Sequence, residues 1–264
     1  MGRETAYFVV LRRPESFEPE KLAETLMSIL PGTRLDIALR LRRSWGLLHS
    51  TPEIAEAEKV GEHVSRAGFE TFILPASEMI QSPPPRILKK AVPGPEGLTF
   101  QEGEEPRRLP WNHVLILGCG QVIDTSRKKR RLIGEARVAR TLATTGLSMV
   151  SAVRISHRRI KGKTVDEKLT GTGYCLDLVT DDRADGVRIA GEAFDYACLG
   201  ERKGYGVLNN FRLLYRDIAR HLPDVRRNQG ARAMDSGDVM KSRYADMDKY
   251  TREIHWLRQL ETRP

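Results

Sequence analysis

The sequence predicts an α+β protein of two domains, and three observations indicate this fold class. Its opening 80 residues alternate short apolar stretches, typical of strands, with amphipathic stretches typical of helices. A proline-rich segment, residues 81–86, then follows as a stiff connector. After that connector the pattern predicts several short strands and one strongly amphipathic helix. A length of 264 residues also exceeds the usual size of a single domain.

The first domain, residues 1–80, is predicted from the spacing of its apolar residues. The predicted elements are, in chain order, strand 6–11, helix 19–30, strands 35–42 and 45–49, helix 52–67 and strand 69–74. The first strand is continuously apolar, which is typical of a buried strand. The second strand is predicted from alternation, because apolar residues stand at every other position from Leu35 to Leu41.

The order β-α-β-β-α-β resembles the ferredoxin-like fold. This resemblance concerns element order and implies no particular function. The strand from Ala6 to Leu11 is apolar on both of its sides, so the sheet face opposite the helices should also be covered. We therefore expect this N-terminal sheet face to contact the second domain, a protein partner or another copy of the chain.

The second domain is predicted over residues 87–223, with a basic insertion at 124–170. Its strands include Tyr174 to Val179, and its helix carries apolar residues at helical spacing from Leu208 to Leu222. Short strands, a Leu-Pro-Trp entry into a strand and one closing helix resemble a bacterial pleckstrin-homology-like domain. The resemblance implies a β-barrel closed by an amphipathic helix, which binds a ligand or partner and brings no catalytic residues. We expect Trp111 and Phe211 in its core.

Residues 224–264 are predicted to form a mobile linker and a C-terminal helix. The chain from 224 to 241 is polar and aperiodic, as linkers are. From Tyr244 to Leu260 apolar residues return at helical spacing, with Trp256 beside them. This pattern predicts a helix that docks against another part of the protein.

The positive charge is concentrated in one segment. The net charge is +9, and residues 124–170 hold 13 Lys and Arg against 4 Asp and Glu, so the remainder is balanced. The predicted anion-binding residues are Arg127, Lys128, Lys129, Arg130, Arg131, Arg158, Arg159, Lys161 and Lys163. Such a basic arm can contact the phosphates of nucleic acid or an anionic lipid surface. A solvated loop that keeps the protein in solution is the alternative.

The stretch around Gly118 and Gly120 allows two interpretations. An apolar run from Val114 to Leu117 before two glycines resembles the first motif of Rossmann-like methyltransferases, which bind S-adenosylmethionine. The later glycine of the dinucleotide fingerprint is missing, because Gln121 is followed by two β-branched residues. We therefore favour a glycine corner between two antiparallel strands.

Other chemistry is weakly represented in the sequence. The six histidines are dispersed, and the three cysteines form no Cys-x-x-Cys pair. We therefore expect no catalytic residues, no metal and no cofactor. Three widely separated cysteines favour reduced thiols and a cytoplasmic location, and no apolar run is long enough to predict a transmembrane segment.

The leading functional hypothesis is a non-enzymatic intracellular adaptor that binds a protein or an anionic partner. A nucleic-acid-binding protein that uses the basic arm at 127–163 is the second hypothesis. The third is an S-adenosylmethionine-dependent methyltransferase-like enzyme built around Gly118 and Gly120.

Overall fold

The computed structural model describes residues 6–77, 85–131, 164–181, 186–238 and 242–262, without the side chains of 124–131 and 164–172. Its helices and strands confirm the predicted α+β class. The chain divides into two compact units, residues 1–122 with 173–264 and residues 123–172. The second unit nearly coincides with the predicted basic insertion, and every described helix belongs to the first unit.

The N-terminal part contains three strands and three helices. In order they are β1 Tyr7–Leu11, α1 Pro19–Leu26, α2 Arg34–Ser44, β2 Leu47–Thr51, α3 Ile54–Arg66 and β3 Thr71–Pro75. The strands form an antiparallel sheet in the order β2–β1–β3. The predicted β-α-β-β-α-β order is therefore wrong at its third element, where α2 replaces a strand, and the sheet lacks the fourth strand of the ferredoxin-like fold.

A capping box between Thr33 and Asp36 stabilises the N-terminus of helix α2. The Thr33 hydroxyl accepts a hydrogen bond from the Asp36 backbone N–H at 3.2 Å, and the Asp36 carboxylate accepts one from the Thr33 N–H at 3.1 Å. The buried residues of the helix fall at helical spacing: Ile37, Ala38 and Leu41. Leu35 and Leu39 are 65% and 39% exposed. Two of the four alternating apolar residues that predicted a strand therefore do not face the core.

The following part of the chain contributes seven strands and a long helix. They are β4 Arg86–Leu88, β5 Ala91–Pro93, β6 Gly97–Glu102, β7 Glu105–Pro110, β8 Val114–Arg131, β9 Thr164–Thr180, β10 Val187–Ala190 and α4 Val207–Ala219. The amphipathic helix predicted here is confirmed as α4. Strands β5, β6 and β7 form an antiparallel sheet, while β10 pairs antiparallel with β9 and parallel with β4.

The segment predicted as a mobile linker over 224–241 contains ordered elements instead. Within it lie β11 Arg226–Arg227 and α5 Gln229–Ser236, and after it come β12 Arg243–Tyr244 and the C-terminal helix α6 Met247–Thr262. Both short strands pair parallel with β8, with Arg226 opposite Ile116 and Tyr244 opposite Val122. The apolar pattern of the sequence does not predict these elements, because backbone pairing with β8 and a few buried polar groups hold them in place. The docking helix is confirmed, with Trp256 only 2% exposed.

Three hydrophobic clusters hold these elements together. One lies between the N-terminal sheet and helices α1 to α3, and a second surrounds α4, with Phe211 and Trp111 buried in it as predicted. The third joins the opposite face of the N-terminal sheet, through Val10 and Leu74, to α6 and to residues of β8 and β9. The chain's own elements therefore cover this sheet face, in agreement with the expectation that the second domain contacts it, and nothing in the described part of the chain supports its use for a protein partner or self-association.

The larger sheet is open in the residues that the structure describes. Its strand order is β11–β8–β9–β10–β4, with β12 also on β8, and it does not join the β5–β6–β7 sheet through strand pairing. No closed barrel is formed by these described strands.

Candidate functional site

Strand β8 continues through Gly118 and Gly120, so both predicted conformations of this stretch are wrong. The chain makes neither a hairpin corner nor a phosphate-binding turn there, because β8 extends to Arg131. The glycines instead make room for side chains of the C-terminal segment. A Cβ atom at Gly118 would lie 2.5 Å from Ile254 Cδ1, and one at Gly120 would lie 2.6 Å from Tyr244 Cε2.

Asn228 attaches the start of α5 to this glycine-containing strand. Its buried amide accepts a hydrogen bond from the Cys119 N–H at 2.9 Å and donates one to the Cys119 carbonyl at 3.0 Å. The same amide donates to the Tyr244 hydroxyl at 2.9 Å. Gly230 passes so close to the Cys119 carbonyl that no side chain fits there. These contacts hold β12, which carries Tyr244, and α5, which begins at Gln229, against β8.

Glu253 is a buried carboxyl group inside this network. Its Oε1 accepts hydrogen bonds from the Gln229 N–H at 2.6 Å and from the Tyr244 hydroxyl at 3.0 Å. Burial raises the pKa of Glu253 from 4.5 to about 8, because water no longer solvates the charged form. At neutral pH this carboxyl group is therefore mostly protonated and contributes little negative charge.

A groove of about 1020 Å³ opens above Glu253, between α2 and α6. Six cationic residues line it: Arg40, Arg42, Arg43, Arg243, Lys249 and Arg252. Asp36 and Glu253 are the acidic residues among its described lining, and the Asp36 carboxylate already caps α2. We call this feature the cationic groove, because its positive charges exceed its negative charges.

Two of the six groove cations already have partners. Arg42 forms an ion pair with Glu20, and Arg243 donates to the Gln121 side chain at 2.9 Å. The other four groove cations make no side-chain ion pair or hydrogen bond within the described residues: Arg40, Arg43, Lys249 and Arg252. All four are exposed. They are therefore available to an anion that enters the groove.

A buried ion pair lies on the other side of α6. Arg188 donates to both Asp177 oxygens, at 2.7 and 2.6 Å, and the two side chains are 14% and 4% exposed. Burial raises the pKa of Asp177, and its hydrogen bonds from Arg188 act in the opposite direction. The Arg188 guanidinium also lies 5.5 Å from the centre of the Tyr250 ring. This pair supports the packing of α6 and does not face the groove.

The structure places the predicted anion-binding residues only in part. The backbone of Arg127, Lys128, Lys129, Arg130 and Arg131 belongs to β8, and their side chains lie outside the described residues. Arg158, Arg159, Lys161 and Lys163 lie wholly outside the described residues. The basic arm therefore stays a prediction, and the cationic groove is a separate site formed by other residues.

The cysteines are unpaired thiols in environments that disfavour the thiolate. Burial raises the pKa of Cys119 and Cys198, and raises that of Cys175 to about 12. Among the described residues no group of three or more His, Cys, Asp or Glu side chains is arranged to hold a metal ion. No helix in this part of the chain is both long and apolar enough to cross a membrane.

Sequence reasoning missed the cationic groove because its walls come from opposite ends of the chain. Arg40 and Arg43 stand about 200 residues before Lys249 and Arg252, so no single run of basic residues marks the groove. One local signal was available: Thr33 and Asp36 have the spacing of a capping box, which predicts α2 and hence the shared face of its arginines.

Glu253→Gln should stabilise the protein at neutral pH. Because folding raises the pKa of Glu253, the folded state takes up a proton, and this costs stability as pH rises from 4.5 towards about 8. Gln keeps an oxygen acceptor for the Gln229 N–H and Tyr244 hydroxyl and cannot ionise. We expect a gain of about 2–3 kcal/mol at pH 7 in urea unfolding, shrinking towards zero near pH 4.5.

The matched control is Glu58→Gln, which changes an exposed glutamate of α3. We expect its stability to follow that of the unmodified protein across the same pH range. A Glu253→Gln protein that gains no stability at pH 7, or gains equally at pH 4.5 and pH 7, would contradict a raised pKa at this position.

Comparison with known protein families, with curated proteins and with solved structures finds no match to this chain.

Proposed function

We propose that this protein is a non-enzymatic adaptor that binds an anionic partner in the cationic groove. The observation that carries the proposal is the presence, in a single concave surface, of four exposed cations that have no ion-pair partner among the described residues: Arg40, Arg43, Lys249 and Arg252. A partner can pair with them without breaking existing salt bridges. The protonated state of Glu253 removes a negative charge that would oppose such a partner.

The groove also suits electrostatic capture. Clefts lined by one sign of charge concentrate counter-ions and speed the encounter with an oppositely charged partner. Each exposed cation contributes modestly, so several must act together to give useful affinity. The rigid walls favour this, because α2 is capped at Thr33 and α6 is buried through Trp256 and Leu257.

We further propose that residues 87–223 belong to a pleckstrin-homology-like domain. The support is the succession of seven short or extended strands followed by α4, whose Phe211 packs in the same cluster as Leu98 and Leu176. The three unpaired cysteines support our proposal of a cytoplasmic location, where thiols stay reduced.

A second candidate function is nucleic-acid or anionic-lipid binding through the basic arm. The observation that favours it is the excess of 13 cations over 4 acids in residues 124–170. This arm and the cationic groove are distinct in sequence, so separate substitutions distinguish them.

Neutralising the cationic groove should weaken binding to a model polyanion. In the groove variant, Arg40, Arg43, Lys249 and Arg252 are all changed to Gln. We expect the groove variant to elute from immobilised heparin at a clearly lower salt concentration than the unmodified protein. Its heparin affinity should fall about tenfold or more at about 0.1 M salt. Fewer counter-ions are released on binding, so the salt dependence should also become shallower.

The matched control removes the same number of charges elsewhere on the surface. It changes Lys59, Lys89, Arg216 and Arg232, which are exposed and do not line the groove, to Gln. An arm variant with Arg127 to Arg131 changed to Gln tests the second candidate function in the same series. If the groove variant and the surface control behave alike, the groove does not bind the polyanion and the proposed function fails.

A further inference from the structure

We infer that the ligand of the cationic groove is an acidic peptide segment with interspersed apolar residues, contributed by a protein partner. The inference rests on the proposed function and specifies the chemistry of the partner. It follows from the size of the groove, from the arrangement of cationic and apolar residues on its walls, and from the burial of its aromatic rings.

The size of the groove favours an extended ligand. Its volume of about 1020 Å³ stands at the upper end of the range for small-molecule sites, about 300–1,000 Å³. A single phosphate or carboxylate ion would leave most of that space filled with water. A peptide of several residues can contact both α2 and α6 together.

The α2 wall of the groove places an exposed apolar residue beside a cation. Leu39 and Arg43 stand four positions apart, and helix geometry makes them neighbours on one face. The α6 wall contributes cations, because Trp256, four positions after Arg252, is only 2% exposed. A ligand that complements both walls therefore needs carboxylates for the cations and an apolar side chain close to Leu39.

Leu39 is an apolar residue of the groove that no other part of the described chain fully covers. Its side chain is 39% exposed within the groove, although the surrounding surface is strongly charged. Burying a leucine of the partner against it removes apolar surface of both molecules from water. A ligand that carries charge alone gains nothing from Leu39.

The aromatic residues of the groove argue against a single-stranded nucleic acid. Sequence-tolerant binding of single strands depends on exposed rings on which the bases stack. Trp256 is 2% exposed and Tyr244 is 7% exposed, so neither presents a ring face to the groove. The remaining lining residues supply charge without stacking, which an acidic peptide does not require.

The test uses the full chain and a fluorescent peptide of roughly 12 residues in which six Glu and two Leu are separated by Ser and Gly. A second peptide has both Leu replaced by Ser, and a third has every Glu replaced by Gln. We expect the Glu–Leu peptide to bind about tenfold more tightly than the Glu–Ser peptide, because its leucines cover Leu39. The Gln–Leu peptide should bind least.

Leu39→Ser and Leu35→Ser form a matched pair of variants. Both leucines are exposed on α2, but only Leu39 lines the groove. We expect Leu39→Ser to reduce affinity for the Glu–Leu peptide severalfold and to leave affinity for the Glu–Ser peptide unchanged. Leu35→Ser should change neither affinity, which also controls for any loss of helix stability.

The outcomes separate this inference from the proposed function. Equal affinity for the Glu–Leu and Glu–Ser peptides, or tighter groove-dependent binding of a single-stranded oligonucleotide, overturns the acidic-peptide inference. If the groove variant still loses heparin affinity in that case, the proposed anion-binding function stands. If neither heparin nor any peptide responds to the groove substitutions, both fail.

Discussion

Arg188→Met should lower the free energy of unfolding by about 3–5 kcal/mol, because it leaves a carboxylate buried without its cation. Asp177 is 4% exposed and receives two hydrogen bonds from the Arg188 guanidinium. Without Arg188, the already raised pKa of Asp177 should rise further, so the folded state must take up a proton or retain an unpaired charge. Urea unfolding at pH 7 measures the loss.

The paired replacement separates the loss of an interaction from the burial of a charge. Asp177→Leu combined with Arg188→Met should recover most of the stability, since apolar residues of similar volume often replace a buried ion pair at little cost. The matched surface control is Arg66→Met, whose ion pair with Glu62 is exposed on both sides and should contribute no more than about 1 kcal/mol. Equal losses from Arg188→Met and Arg66→Met would contradict the burial argument.

Phe211→Ala should destabilise the protein by about 3–5 kcal/mol, through lost apolar burial and the cavity left behind. The ring is fully buried, and its centre lies 5.5 Å from that of Tyr174. A Cβ atom at Gly191 would lie 3.1 Å from the Phe211 ring, which shows how closely the site is packed. Thermal unfolding should show a clearly lower midpoint.

Val207→Ala provides the comparison for Phe211→Ala within the same helix. Val207 starts α4 and is 39% exposed, so its truncation removes little buried surface. We expect a change within about 0.5 kcal/mol. A Phe211→Ala midpoint no lower than that of Val207→Ala would mean that the face of α4 is assigned incorrectly.

The elements that sequence reasoning found are those whose apolar spacing and burial agree. Helix α4 is an example, because Phe211, Leu214 and Ile218 are both periodic and buried. Helix α2 was missed because the exposed Leu35 and Leu39 alternate with polar and small residues in the way that strand residues do. A local apolar pattern does not distinguish a residue that faces the core from one that faces solvent.

The candidate site depended on contacts that no local pattern encodes. The pKa of Glu253 is raised by burial, and that burial depends on α5, β12 and α6 packing against β8. The glycines of β8 were visible in the sequence, but their role required knowing that Ile254 and Tyr244 lie above them. The groove likewise exists only when α2 and α6 are brought together.

The pairing of β8 with β11 and β12 has a consequence for the protein during its synthesis. Cys119 bonds to Asn228, 109 residues later, and Gln121 bonds to Arg243, 122 residues later. At roughly 5–20 residues per second, a nascent β8 waits about 5–25 s for these neighbours to be made. Until then it presents an uncovered strand edge, which is a template for pairing with another chain. Pairing with β11 and β12 covers that edge, and α6, which follows β12 in the chain, completes the cationic groove.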